Sequence, residues 1–371
     1  MRMALNKYTQ VTGGQLILLL ITVVGATAIV HAPSMSIRVA GQNAWISLLL
    51  PATLYGMLVV WVTTKLALRF PGRTFGEYTQ EILGIWPARL VWIMYLLYLA
   101  SLLIVIVREF GNVLSTAFMP ETPMVVFSLT LLLLALYAAL GGPEVICRVN
   151  QFILPILLAT LILMLFFLAK EVEPARLLPF MEEGLWPVLK GAKVASAFRG
   201  EVFVLMWLVY YLDEPSKSTG RGMQAVIFLG VLLMLDVMSI ITVMGRELAS
   251  LEVFPTLSMT RYINIGYFLN RVEGLAMIVW VTGVVIKSSI LFYVAMDLAQ
   301  DTFRVRNRWY IVPPLVAGLL AVAVYGFKND LQVVWYLGTV FPLSSWLFQL
   351  GIPSLLLLIA WLRKKGAYNR G

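Results

Sequence analysis

Apolar runs of roughly 20 residues recur about ten times along this chain, divided mostly by short connections holding lysine, arginine, glycine or proline. A helix of about 20 apolar residues crosses a bilayer, and there every backbone N–H and C=O must find its partner inside the segment. The recurrence therefore predicts an all-α polytopic membrane protein of about ten transmembrane helices. The segments fall near 13–32, 44–66, 88–118, 124–140, 145–169, 193–212, 223–245, 272–300, 310–325 and 334–362.

Composition agrees: 60% of the residues are hydrophobic and 13% charged, against roughly 25% charged in a soluble domain. The formal charge of +9 sits in connections rather than in a basic domain interleaved with aromatics, so nucleic acid is not an expected partner and the lipid bilayer is. Lys65, Arg69, Arg73 and Arg89 flank one short connection, Arg304, Arg306 and Arg308 another, and Arg363, Lys364 and Lys365 follow the last segment. With an even number of spans, this bias puts both termini in the cytoplasm. Trp45, Trp86, Trp186, Trp309 and Trp335 fall at segment ends, where interface anchors belong. The first apolar run lacks a short core followed by a small-residue cleavage site and should remain a spanning helix.

The chain divides into a cytoplasmic stretch 1–12, a first five-helix block 13–169, an extracytoplasmic loop 170–192, a second five-helix block 193–362 and a cytoplasmic tail 363–371. The loop 170–192 is expected to hold an amphipathic surface helix around 181–189, and the polar stretch 246–271 short helices lying on the bundle. Enzyme signatures are missing. There is no phosphate-binding loop and no H-E-x-x-H, and the single histidine, His31, has no G-x-S-x-G beside it. The single cysteine, Cys147, offers neither a disulfide nor a Cys/His metal site. No catalytic residue, cofactor or metal is expected.

Lys287 lies near the middle of the eighth segment, before Ser288 and Ser289. A lysine at that depth costs roughly 2.5–3.5 kcal/mol on insertion scales, so it should face protein or water and have a partner. Two other segments carry glycine and polar groups inside apolar helices: the first, from Thr22 through Gly25, Ala26 and Thr27 to Pro33, and the sixth, with Phe198, Arg199, Gly200 and Glu201. Each opens a block of five. Interrupted helices in matching positions of two halves mark transporter binding sites, because an unwound turn presents backbone N–H to a carboxylate and C=O to a cation. Both helices are thus expected to be broken. Close helix packing is the ordinary alternative for the glycines.

The order of spans and the two weakened helices resemble the amino acid–polyamine–organocation superfamily, with its LeuT-type 5+5 inverted repeat, and Phe198-x-Gly200-Glu201 looks like its aromatic–Gly–acid pattern. A closer resemblance is to the membrane-embedded B subunit of bacterial spore germinant receptors, the spore germination permeases. It is carried by Phe254-Pro-Thr-Leu-Ser-Met-Thr-Arg261-Tyr262-Ile-Asn-Ile-Gly266, by Phe268-Leu-Asn-Arg271-Val-Glu273, by Ile286-Lys287-Ser288 and by Val24-Gly25-Ala26-Thr27 through Pro33. Thr27 stands where that family often has a second glycine, which narrows a cavity or adds a hydroxyl. The resemblance implies a sensor that binds a small nutrient, often an amino acid, beside A and C subunits in the spore inner membrane. It also implies that Lys287 faces the first-helix break, where related sodium-coupled carriers hold an ion.

Ligand-binding candidates are Gly25, Ala26, Thr27, Tyr98, Phe198, Gly200, Glu201, Ser289 and Tyr293, with Lys287 and Glu201 as the ion or proton site. Glu201 suits an amino group or a proton, and Arg199 a carboxylate or a loop. Ser289 and Tyr293 share a helical face, as do Tyr95, Tyr98 and Ser101. Asp236 must face inward, either as a partner for a lysine or arginine or as part of a conduit. Arg108 and Glu109 read as a rim ion pair or a partner contact, and His31 as a pH-responsive group or, more ordinarily, as incidental. A receptor subunit, an autonomous sodium-independent and possibly proton-coupled amino acid permease, and a ligand-free scaffold all remain compatible with these residues.

Overall fold

The computed structural model describes residues 10–263, 272–305 and 307–366, without the side chains of Ala117, Val272, Glu273, Leu275 and Ala276. Thr12 starts the first helix, α1 (Gly13–Ala40), through a capping box with Gln15, and Gly41, at φ 55°, ends it. Just before it, Val11 N–H donates to Tyr211 O at 2.9 Å and Asp213 N–H to Val11 O at 3.1 Å, pinning the entry of α1 to the far end of the sixth segment.

Helices α2 (Ala44–Leu49) and α3 (Pro51–Leu68) form the second segment, divided where Pro51 begins a new helix. The short α4 (Phe75–Leu83) is capped by Thr74 and Glu77 in a second capping box. It was read from sequence as plain connection. The α5 helix (Ile85–Val113) runs into a π turn, Leu114–Phe118, and α6 (Met124–Leu140) and α7 (Gly142–Leu168) complete the first half.

The expected surface helix around 181–189 is not a separate element. Gly184, at φ 74°, opens α8 (Leu185–Arg199), which carries straight into the sixth segment. Pro187 is tolerated there because N–H groups of a first turn have no intrahelical partner anyway. From Gly200 the backbone tightens to a 3₁₀ turn, Gly200–Val204, then makes one turn of α-helix, α9 (Leu205–Leu208), and a second 3₁₀ turn, Val209–Tyr211.

The remaining helices are α10 (Ser218–Met244), the short α11 (Arg246–Leu251) and α12 (Pro255–Met259), α13 (Val272–Phe303), α14 (Val312–Tyr325), α15 (Asp330–Trp346) and α16 (Ile352–Leu362). A π turn, Leu347–Gly351, joins the last two. Pro353 cannot donate to the carbonyl four residues back, and the wider turn absorbs the mismatch. Of the residues resembling the germinant-receptor family, 264–271 lie outside the described residues.

Among the described residues, seven stretches are long and apolar enough to cross a membrane. One, Gly13–Leu68, spans two expected segments, and Met124–Leu140 is a shorter apolar helix. The chain is an all-helical multi-pass membrane protein. Helices α1 and α13 form its centre: α1 packs on α7, α8, α10 and α13, and α13 also on α5, α6 and α7. Every side chain from Val284 to Met296 whose position points inward is buried, including Lys287, Ser288 and Ser289.

Of the two helices expected to be broken, one changes its winding and the other does not. The sixth segment changes winding at Gly200, whereas α1 is continuous through Gly25, Ala26 and Thr27. Its polar side chains are satisfied without unwinding. Thr22 Oγ1 donates to Asn150 Oδ1 at 2.8 Å, Ser34 Oγ to His31 O at 3.2 Å, and Thr27 Oγ1 accepts from Lys287.

Candidate functional site

Lys287, with 0% of its surface exposed, is the focus of a buried polar knot. Its ammonium donates to Glu201 Oε2 at 2.6 Å and to Thr27 Oγ1, and lies 5.8 Å from the centre of the Phe198 ring. Three elements therefore meet on one cation: α1 through Thr27, the 3₁₀ turn through Glu201, and α13. Two charges taken out of water at this depth are tolerable only when paired and bonded as these are.

Gly200 sets the turn that aims Glu201. A Cβ there would run into Gln349 Oε1 and fall 2.7 Å from Tyr55 Cε1, so glycine lets the π turn Leu347–Gly351, α3 and the 3₁₀ turn approach closely. Gln349, fully buried in the π turn, donates to Ala197 O at 2.8 Å and to Tyr98 Oη at 3.0 Å. It thereby covers a carbonyl freed where α8 changes winding. Tyr98 Oη in turn donates to Ser345 Oγ at 3.0 Å, and its ring stacks on Phe348 with centres 4.6 Å apart.

A second polar pair adjoins the first. His31 Nε2 lies 2.8 Å from Glu109 Oε1, both side chains buried, with the imidazole between Phe198 (6.3 Å, stacked) and Phe254 (5.7 Å, edge-on). Thr27, Glu109, Phe198, Glu201, Lys287 and Phe341 enclose a cavity of about 20 Å³. That is room for about one water molecule. Phe254 also lines a larger vestibule of about 290 Å³, with Glu252, Ser258 and Arg261 among its other walls.

Four of the ligand-binding and ion-site candidates thus share one cavity: Thr27, Phe198, Glu201 and Lys287. Tyr98 and Gly200 support it from behind through Gln349. Gly25 and Ala26 do not join it. Because α1 is a continuous helix, successive residues point about 100° apart, and these two face a different, apolar cavity with Asp236. Ser289 Oγ donates back to Val285 O at 2.6 Å, and Tyr293 Oη pairs with Tyr211 Oη at 2.7 Å; neither lines the Lys287 cavity.

Arg199 is buried within the bundle rather than reaching a loop. It is 1% exposed, and its guanidinium points at Leu48 O (3.4 Å), the end of α2, and Val226 O (3.5 Å). Arg108 and Glu109 are not a rim pair. Arg108 donates to Val324 O at 3.0 Å, while Glu109 turns inward to His31, which is therefore not incidental. Asp236 has no basic partner among the described residues and accepts from Thr256 Oγ1 at 3.1 Å.

A family model described as spore germination protein matches residues 10–331, most of the chain and the elements that build the cavity apart from α15, of which it covers only the first two residues. The chain belongs to the spore germination protein family. Among its relatives, spore germination protein KB of Bacillus subtilis (strain 168) is 26% identical over 361 residues, covering 96% of this chain and 95% of the relative. Spore germination protein YndE of the same organism is 25% identical over 369 residues, 96% and 98% of the two chains. Spore germination protein XB of Bacillus anthracis is 25% identical over 363 residues, 93% and 96%.

For this family member, the residues missed in the sequence are Gln349, Ser345, Tyr55 and Phe341, which hold the turn and close the cavity. Gln349 had a signal. It is an amide inside an apolar run, bracketed by Pro342 and Pro353, both of which disturb helical bonding.

Proposed function

We propose that the chain is the nutrient-sensing membrane subunit of a spore germinant receptor, binding a small germinant at the Lys287 cavity and passing a conformational change to A and C subunits. The observation that carries this reading is the Lys287–Glu201–Thr27 knot beside Phe198, because it ties three structural elements at a point a zwitterion can contest. A ligand carboxylate competes with Glu201 for Lys287, and a ligand ammonium competes with Lys287 for Glu201 and Glu109. An amino acid satisfies both demands at once.

The closed cavity is smaller than any amino acid, so binding requires α13, α1 and the 3₁₀ turn to separate. A ligand shifts a conformational equilibrium only by its differential affinity for the two states. Here that difference is the exchange of the internal ion pair for two ligand–protein ion pairs. The entry route in this reading runs from the larger vestibule past Phe254 and His31 to Phe198. Both termini are cytoplasmic, the two halves 13–169 and 193–362 form the 5+5 repeat with 170–192 as the outer loop, and the membrane is the spore inner membrane.

A second reading, a sodium-independent amino acid permease, draws on the same lysine. Its ammonium is held by a hydroxyl and a carboxylate, as a bound alkali cation would be. Proteoliposomes separate the two. A sensor binds the amino acid without net uptake. A permease accumulates labelled substrate, and Lys287→Ala abolishes that uptake.

A further inference from the structure

The second cavity, on the opposite face of α1, has chemistry that the germinant reading does not use. It measures about 100 Å³ and lies between α1, α7, α10 and α13 beneath α12. Its walls are almost wholly apolar, and on the side where α7 meets α10 they consist of half-buried leucines such as Leu158, Leu161 and Leu232, so it lies against the acyl region of the bilayer.

Asp236 stands in this apolar wall. It is 7% exposed, receives a single hydrogen bond from Thr256, and has no cationic partner among the described residues. Among the described residues, no lysine, arginine or histidine lines the cavity. Trp280, also 7% exposed, lines it too, with its indole N–H unpartnered. An ionisable residue at membrane depth marks a functional site by default, and the partner it calls for is a cation.

We propose that this cavity is a separate binding site for a primary amine bearing a short apolar chain, with the ammonium on Asp236 and the chain among the α7 and α10 leucines. An amino acid fits poorly, because its carboxylate would be buried with no cation to meet it. A cavity of about 150 Å³ takes up benzene, so a cavity somewhat smaller holds a chain of about four carbons. The apolar side toward α7 and α10 lets such an amphiphile arrive from the bilayer.

The test uses the full chain purified in nanodiscs and n-butylamine at neutral pH, where the amine is protonated. Thermal unfolding is followed against ligand concentration, with 1-butanol and butyrate as controls of the same chain length. Expected is a saturable rise in Tm with butylamine alone, with an apparent Kd at least tenfold weaker in Asp236→Asn. Leu161→Trp, which keeps the carboxylate and fills the chain site, weakens butylamine similarly. No shift in wild type, an equal shift with butanol, or undiminished butylamine binding in Asp236→Asn overturns the proposal. Should Asp236→Asn fail to fold, the amine-against-alcohol comparison in wild type and the Leu161→Trp variant still decide it. Thr27→Leu, in the other cavity, leaves butylamine binding intact, so failure here is separable from failure of the germinant reading.

Discussion

Lys287 and Glu201, 86 residues apart in sequence, are joined Nζ to Oε2 at 2.6 Å with side chains 0% and 2% exposed. Removing one partner of such a pair strands a buried charge, at a cost of roughly 3–5 kcal/mol, whereas replacing both with apolar groups of similar size is often neutral. Lys287→Met and Glu201→Leu alone are each expected to lower Tm sharply. The double variant recovers most of the loss. A double-mutant cycle on the purified protein measures the coupling, and simple additivity would contradict the pairing.

Thr27 supplies the hydroxyl acceptor for the same ammonium. Thr27→Val keeps the shape and leaves one Lys287 N–H unmet, a loss of about 1–3 kcal/mol. Thr27→Ser restores the acceptor and most of the stability. Thermal unfolding of the two variants side by side gives the comparison.

Gly200 and Gln349 are matched by size as well as by position. Gly200→Ala overpacks a site whose nearest atom is Gln349 Oε1, with an expected cost of about 1–3 kcal/mol. Adding Gln349→Ser relieves the clash, so the double variant is more stable than the sum of the singles predicts. A non-additivity of at least about 0.5 kcal/mol is the expected signal.

In the proposed entry route, Phe254, which lines the larger vestibule and meets His31 edge-on, stands between that vestibule and the Lys287 cavity. In a Cys147→Ser background, a cysteine introduced by Leu102→Cys reports access to that cavity. Adding Phe254→Ala is expected to speed its labelling by a polar thiol reagent severalfold. An unchanged rate would place the route elsewhere.

Much of the fold was legible because apolar runs and loop charges are local properties. The fourth segment was read at 124–140 and is α6, residue for residue. Lys287 was legible as a focus, since its burial cost demanded a partner, and the candidates Thr27, Phe198 and Glu201 line the cavity beside it. What failed depended on three-dimensional satisfaction of polar groups. Gly25 and Ala26 suggested a break in α1, but the Asn150 amide and the Lys287 ammonium from other helices satisfy its hydroxyls and leave that helix whole. Ser289 and Tyr293 share a helical face in the sequence, but their partners, a carbonyl of the same helix and Tyr211, turn them away from the cavity. Glu109 looked like a partner for its neighbour Arg108, yet adjacent helical residues diverge by about 100° and meet different helices. The α4 helix was announced only by Thr74-x-x-Glu77, a signal easily lost between two long apolar runs.

Equilibrium binding of labelled amino acids to the purified chain tests the central claim most directly, with wild type, Thr27→Leu and Leu161→Trp measured together. The predicted result is saturable binding of at least one amino acid, abolished by Thr27→Leu in the Lys287 cavity and retained by Leu161→Trp in the apolar one. Binding that survives Thr27→Leu, or that Leu161→Trp removes, would contradict the assignment of the germinant to the knot of Lys287, Glu201 and Thr27.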